Sequence, residues 1–109
     1  MPLLKGTLDV LVLKTLSWGP MHGFEIVRWL EDRSGGRLDV TDAGLLQALH
    51  RLESRDLLAA EWGITENDRR ARYYRLTTAG RAALRAESAA MLDQFDAMRV
   101  VLTARSIKL

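Results

Sequence analysis

A mainly α domain carrying one small β-hairpin is the fold class this 109-residue sequence predicts, and three observations predict it. Three segments, Leu3 to Trp18, Met21 to Arg33 and Thr41 to Arg55, repeat apolar residues at helical spacing. Two short alternating stretches, Leu58 to Trp62 and Arg72 to Leu76, flank the polar turn Thr65 to Arg70 and form a hairpin pattern. A last segment, capped by Thr77 or Thr78, sets apolar residues at alternating steps of four and three. Helices followed by a hairpin in that order make a winged helix-turn-helix, expected over residues 1–80, with a C-terminal dimerisation helix over 81–109.

In the first helix Leu3, Leu4, Leu8, Val10, Leu11, Val12, Leu13 and Leu16 cover more than one stripe, and Gly19-Pro20 ends it. A helix apolar on two sides needs two surfaces to pack against. In so short a chain one of them is expected to be a second copy, met by Leu4, Leu8 and Leu11. The second helix places Phe24, Val27 and Leu30 on one face with Ile26 and Trp29 beside it, and stops at Ser34-Gly35-Gly36, where glycine takes the left-handed conformation on which helices end. Arg37 to Val40 is a short extended connection.

Thr41 or Asp42 caps the third helix, whose Leu45, Leu49 and Leu52 share a buried face. Ala43, Gly44, Leu46, Gln47, His50, Arg51 and Ser54 are left outward or to the side. Small residues open that outward face and polar ones follow, as a helix needs if its N-terminal end is to approach base edges. Glycine there costs about 1 kcal/mol of helix propensity against alanine, so Gly44 either serves close approach or is a neutral accident. In the hairpin, Leu58, Trp62, Tyr74 and Leu76 are expected in the core and Arg69 and Arg70 at the tip. Asn67-Asp68 lacks the glycine of the tightest turns, which predicts a longer, mobile tip. The final helix carries Leu84, Ser88, Met91, Phe95, Met98, Leu102 and Arg105 as a seam, widened by Leu92 and Val101. That seam is too long for one small core, so Leu84, Met91, Phe95, Met98 and Leu102 are assigned to a homodimer interface.

Composition is that of an ordinary globular domain, 48% hydrophobic and 28% charged. The absence of cysteine excludes disulfides and thiolate metal sites. Met-Pro-Leu-Leu-Lys is no signal peptide, so a cytoplasmic protein without a membrane role is expected. The net charge is only +2, yet six arginines and no acid fall between Arg69 and Arg85. Such a block is either a footprint for a polyanion or a solvated surface. His22 is expected to cap or pack at a helix start, and His50 to touch phosphate or solvent; no metal site is expected of them. Glu25, Glu31 and Asp32 have no nucleophile or glycine-rich loop beside them, so neither an enzyme nor a cofactor is expected. Trp29 and Trp62 are expected in or against the core. Trp18 is either an interface plug or the contact for a small apolar or aromatic effector. Together Thr41, Ala43, Gly44, Leu46, Gln47, His50, Arg51, Arg69, Arg70 and Arg72 form the expected double-stranded DNA face; the alternative is a winged helix serving protein–protein contact or RNA.

The stretches Leu4-Lys-Gly-Thr-Leu8, Gly19-Pro-Met-His-Gly-Phe-Glu-Ile26, Ala48-Leu-His-Arg-Leu-Glu53, Leu57-Leu58, Arg69-Arg-Ala-Arg-Tyr-Tyr-Arg-Leu-Thr77 and Ala79-Gly80 resemble the PadR family of transcriptional regulators in its short form with a single C-terminal helix. The resemblance spans nearly the whole chain in order. It implies a homodimeric repressor whose paired winged helices bind an inverted-repeat operator, with the first and last helices forming the interface and sometimes a ligand pocket. The family's recognition helix usually carries Leu-Tyr-Pro-Ala-Leu, whereas this chain has Leu45-Leu46-Gln47-Ala48-Leu49. The tyrosine that the family implies on the DNA backbone is therefore Leu46 here, while Gln47 brings an amide able to pair with adenine and a backbone N–H that proline lacks.

Overall fold

A computed structural model describes Leu3 and residues 6–108. The elements are α1 (Thr7–Leu16), β1 (Met21–His22), α2 (Gly23–Arg33), α3 (Asp42–Ser54), β2 (Leu58–Ile64), β3 (Arg70–Leu76) and α4 (Thr78–Leu102). The three strands form an antiparallel sheet in the order β1-β3-β2, with Leu58 opposite Leu76, Ile64 opposite Arg70, and Met21 opposite Tyr74. This is the predicted winged helix with several boundaries moved. Leu3 lies outside α1, and Leu4 is outside the described residues. Met21 and His22, read from the sequence as helical, instead form a strand on β3, because their backbone groups pair with Tyr74 and Tyr73. Both hairpin strands reach further toward the tip than the alternation indicated, and α4 stops at Leu102, leaving Arg105 beyond the helical seam.

Val12, Leu13 and Leu16 of α1, Ile26 and Leu30 of α2, and Leu45, Ala48, Leu49 and Leu52 of α3 meet over Leu57, Leu58, Tyr74 and Leu76 to form the core. Leu8 and Leu11 are half-buried against it. The one buried polar side chain of the described core, Thr15, donates its hydroxyl proton to the Leu11 carbonyl at 2.8 Å, so its burial leaves no open hydrogen bond. Phe24, expected inward, is 67% exposed. It sits in the first turn of α2, ahead of the point where Ile26 and Leu30 contact the core, and the Arg28 guanidinium covers its ring at 5.7 Å.

The wing leads into α4 through a tight junction. Thr77 Oγ1 accepts the Gly80 N–H at 3.0 Å and donates to the Asp56 carbonyl at 2.7 Å, while the Thr77 N–H donates to the Leu57 carbonyl at 3.1 Å. The start of α4 packs on α1 and β3 through Ala83 and Leu84. From Leu92 onward every described residue is exposed. A helix of 25 residues is about 37 Å long, which stretches the molecule to 62 Å along one axis. The distal half of the seam, Phe95, Met98 and Leu102, is therefore left exposed among the described residues, and Met98 and Leu102 line a shallow apolar groove of about 360 Å³.

Candidate nucleic-acid interface

Thr41 begins α3 because its side chain does what a cap must: Oγ1 accepts the Gly44 N–H at 3.0 Å, relieving one of the four unpaired donors of the first turn. A Cβ at Gly44 would stand 2.8 Å from that hydroxyl, so the glycine has an internal reason, preserving the cap. Beyond the cap, Leu45, Ala48, Leu49 and Leu52 bury one face, and Ala43, Leu46, Gln47, His50 and Arg51 are exposed on the other. Leu46, at 49% exposure, presents an apolar surface where a hydroxyl would have been the family pattern.

α2 stands beside α3 on a cap of its own. His22 Nδ1 accepts the Glu25 N–H at 3.4 Å and Glu25 Oε1 accepts the His22 N–H at 3.1 Å, a capping box with imidazole in the usual place of a hydroxyl. The ring is steadied edge-on by Tyr73 at 5.3 Å. His22 thus caps, one of its two expected roles, while His50 is exposed on the α3 face.

The hairpin stands off from these helix starts and leaves an open cleft of about 1200 Å³, lined on one side by Phe24, Arg28 and Leu46 and on the other by Arg69, Arg70 and Tyr73. The face of the hairpin that begins with buried Leu58 and Leu76 continues outward through Trp62 and Arg72 to Ile64 and Arg70. Trp62, expected in the core, is 63% exposed, because the hairpin outruns the helices beneath it; the Arg70 guanidinium covers its ring at 4.7 Å. Trp29 is half-buried as expected, with Arg33 over its ring at 5.4 Å. At the tip the Thr65 N–H donates to the Arg69 carbonyl at 2.8 Å, and Asp68 takes a left-handed φ of 61°.

The arginines of the face divide into two groups. Arg51 is held by Asp9 of α1, with Nη2 to Oδ1 at 2.7 Å and Nε to Oδ2 at 3.2 Å, and the carboxylate raises the guanidinium above its ordinary pKa through that hydrogen bond. Arg72 reaches back to Glu53 of α3 at 3.1 Å. Both belong to the expected DNA face, and in the structure each is engaged by a carboxylate. Arg69 and Arg70 form no ion pair among the described residues. Burial also pushes the Tyr74 phenol up, against the nearby Arg72 charge. No group of side chains among the described residues could hold a metal ion, and no described helix is long and apolar enough to cross a membrane. Trp18, at the end of α1, is 65% exposed with Lys14 Nζ 5.1 Å from its ring centre.

A capped helix with a small, then polar outer face, set beside a basic hairpin, defines the winged helix-turn-helix class. The transcriptional regulator PadR-like family matches residues 12–86, and the chain belongs to that family of non-enzymatic transcriptional regulators. Its fold is similar to that of a PadR family transcriptional regulator from Eggerthella lenta, with 32% identity and a TM-score of 0.77 over 93% of this chain and 86% of that one. A protein of Streptococcus mutans UA159 is 18% identical with a TM-score of 0.82, covering 100% of this chain and 98% of its own. Bacillus subtilis PadR, solved in complex with operator DNA, is 19% identical with a TM-score of 0.66; the match covers 73% of this chain and 45% of that protein.

Proposed function

We propose that this regulator is a homodimeric repressor that binds an inverted-repeat operator, with residues 1–80 contacting double-stranded DNA and 81–109 supplying the dimer contact. The observation that carries the reading is that exposed Leu46 of α3 lines one cleft with Arg69 and Arg70 of the wing, which form no ion pair among the described residues, and that Gln47, the next residue of α3, is exposed. A winged helix of this kind puts its third helix in the major groove and its hairpin on the adjoining backbone, and the related Bacillus subtilis PadR has been captured on operator DNA. The bare seam of α4 supports the dimer. A twofold protein reads a twofold site, so half-sites should lie about one helical turn apart, roughly 34 Å, or a multiple of it. Trp18, exposed beside the α1 surface, is the proposed contact for a small apolar or aromatic effector that releases the DNA.

Two substitutions separate reading from gripping. Gln47 is the side chain best placed to meet a base edge, so Gln47→Ala should cost roughly 1–3 kcal/mol on a duplex selected by the wild-type chain from a random library, and little on unselected duplex. The paired change Arg69→Ala with Arg70→Ala should weaken both duplexes alike and flatten the slope of log affinity against log salt by about 0.9 for each phosphate no longer neutralised. Anisotropy titrations between low and moderate salt read both effects. Unchanged base preference in Gln47→Ala, or an unchanged salt slope in the wing variant, would overturn the corresponding assignment.

A further inference from the structure

The pairing of Arg51 with Asp9 places a cation of the reading helix under the control of a different helix. Arg51 follows Gln47 by one helical turn and shares its exposed face. Both of its hydrogen bonds to the Asp9 carboxylate are made at once, at 2.7 and 3.2 Å. The Asp9 side chain is only 15% exposed, and the Arg51 side chain 53%. A partly buried acceptor with a fork-shaped donor across it is a far better defined pair than a freely solvated one. Other cation pairs of the face are single contacts, such as Arg72 with Glu53 at 3.1 Å.

We infer that Asp9 is a specificity-determining residue, which acts by holding Arg51 away from the phosphate backbone. The inference rests on the proposed DNA-binding role. An unpaired arginine beside Gln47 would contact phosphate on any duplex, since phosphate contacts carry no sequence information and add affinity everywhere. Neutralised by Asp9, Arg51 leaves the base contact of Gln47 a larger share of the binding energy. Asp9 is thus a positioning residue, and it raises the ratio of operator to random affinity by lowering the random term.

The test is the salt dependence of binding to an unselected 30-base-pair duplex and to one selected by the wild-type chain. Asp9→Asn keeps the shape and removes the charge. It should bind the unselected duplex more tightly, with the log–log salt slope steeper by about 0.9 for each further phosphate neutralised, and its preference for the selected duplex should fall. Adding Arg51→Gln to Asp9→Asn should abolish the extra affinity. Should the amide lower the folded population, Asp9→Ala is read in the same way, since alanine is the better helix former. Extra affinity that persists in the double variant would trace it to the Asp9 charge itself and overturn the role of Arg51. Asp9→Asn that binds like the wild type, or more weakly on both duplexes, would overturn the inference while leaving the DNA-binding role intact. A wild-type chain that binds no duplex would overturn both.

Discussion

Gly80→Ala is expected to lower the stability of the domain by roughly 1–3 kcal/mol, the usual cost of forcing an extra carbon into a packed site. The sign is opposite to the helix-propensity rule, under which alanine in place of glycine adds about 1 kcal/mol of stability. Here the added Cβ would collide with the Leu57 carbonyl oxygen and come within 3.3 Å of Leu76 Cδ2. That carbonyl is backbone, fixed by the Thr77 N–H at 3.1 Å, and the Leu57 N–H is itself bound to the Leu52 carbonyl at 3.0 Å. Relief would require α4 to move off β3, breaking the Thr77 cap as it goes. For a domain of this size each kcal/mol shifts the melting point by several degrees, about 4–8 °C. Thermal melting of the two proteins decides the matter: a Gly80→Ala protein as stable as the wild type would show that the helix does not approach the hairpin so closely.

The second large effect is expected at the α4 seam, where Phe95→Asp should turn the proposed dimer into a monomer. Fully burying a large apolar side chain contributes about 1.5–3 kcal/mol, and a twofold interface loses two copies at once. A loss of about 4 kcal/mol raises the dissociation constant on the order of a thousandfold. A carboxylate in the seam adds repulsion from its symmetry mate. The described residues from 92 onward are all exposed, so the winged-helix body should keep its melting behaviour apart from the lost coupling. Sedimentation at micromolar protein reads the result. If Phe95→Asp sediments as the wild-type dimer does, the seam is not the interface.

The sequence determined the elements and their chemistry wherever a local rule was sufficient. Leu45, Leu49 and Leu52 declared the buried face of α3, the glycines after Ser34 declared the end of α2, and the caps of α3 and α4 were narrowed to Thr41 or Asp42 and Thr77 or Thr78, of which the structure uses Thr41 and Thr77. The arginine block was visible without coordinates, because clustering is a property of order along the chain. The family motifs were legible for the same reason. Tertiary structure alone decided how far the core extends and which charges are taken. Alternation put Trp62 on the inward face of the hairpin correctly, but a two-residue period specifies a face and not a depth, and the helices end before Trp62 is reached. Phe24 is the same case: periodicity groups it with Val27 and Leu30, yet it lies in the first turn of α2, ahead of the core, and stays exposed. The ion pairs of Arg51 and Arg72 were not legible in the sequence, because their partners, Asp9 and Glu53, lie 42 and 19 residues away in the chain and become adjacent only when α1, α3 and the wing pack together.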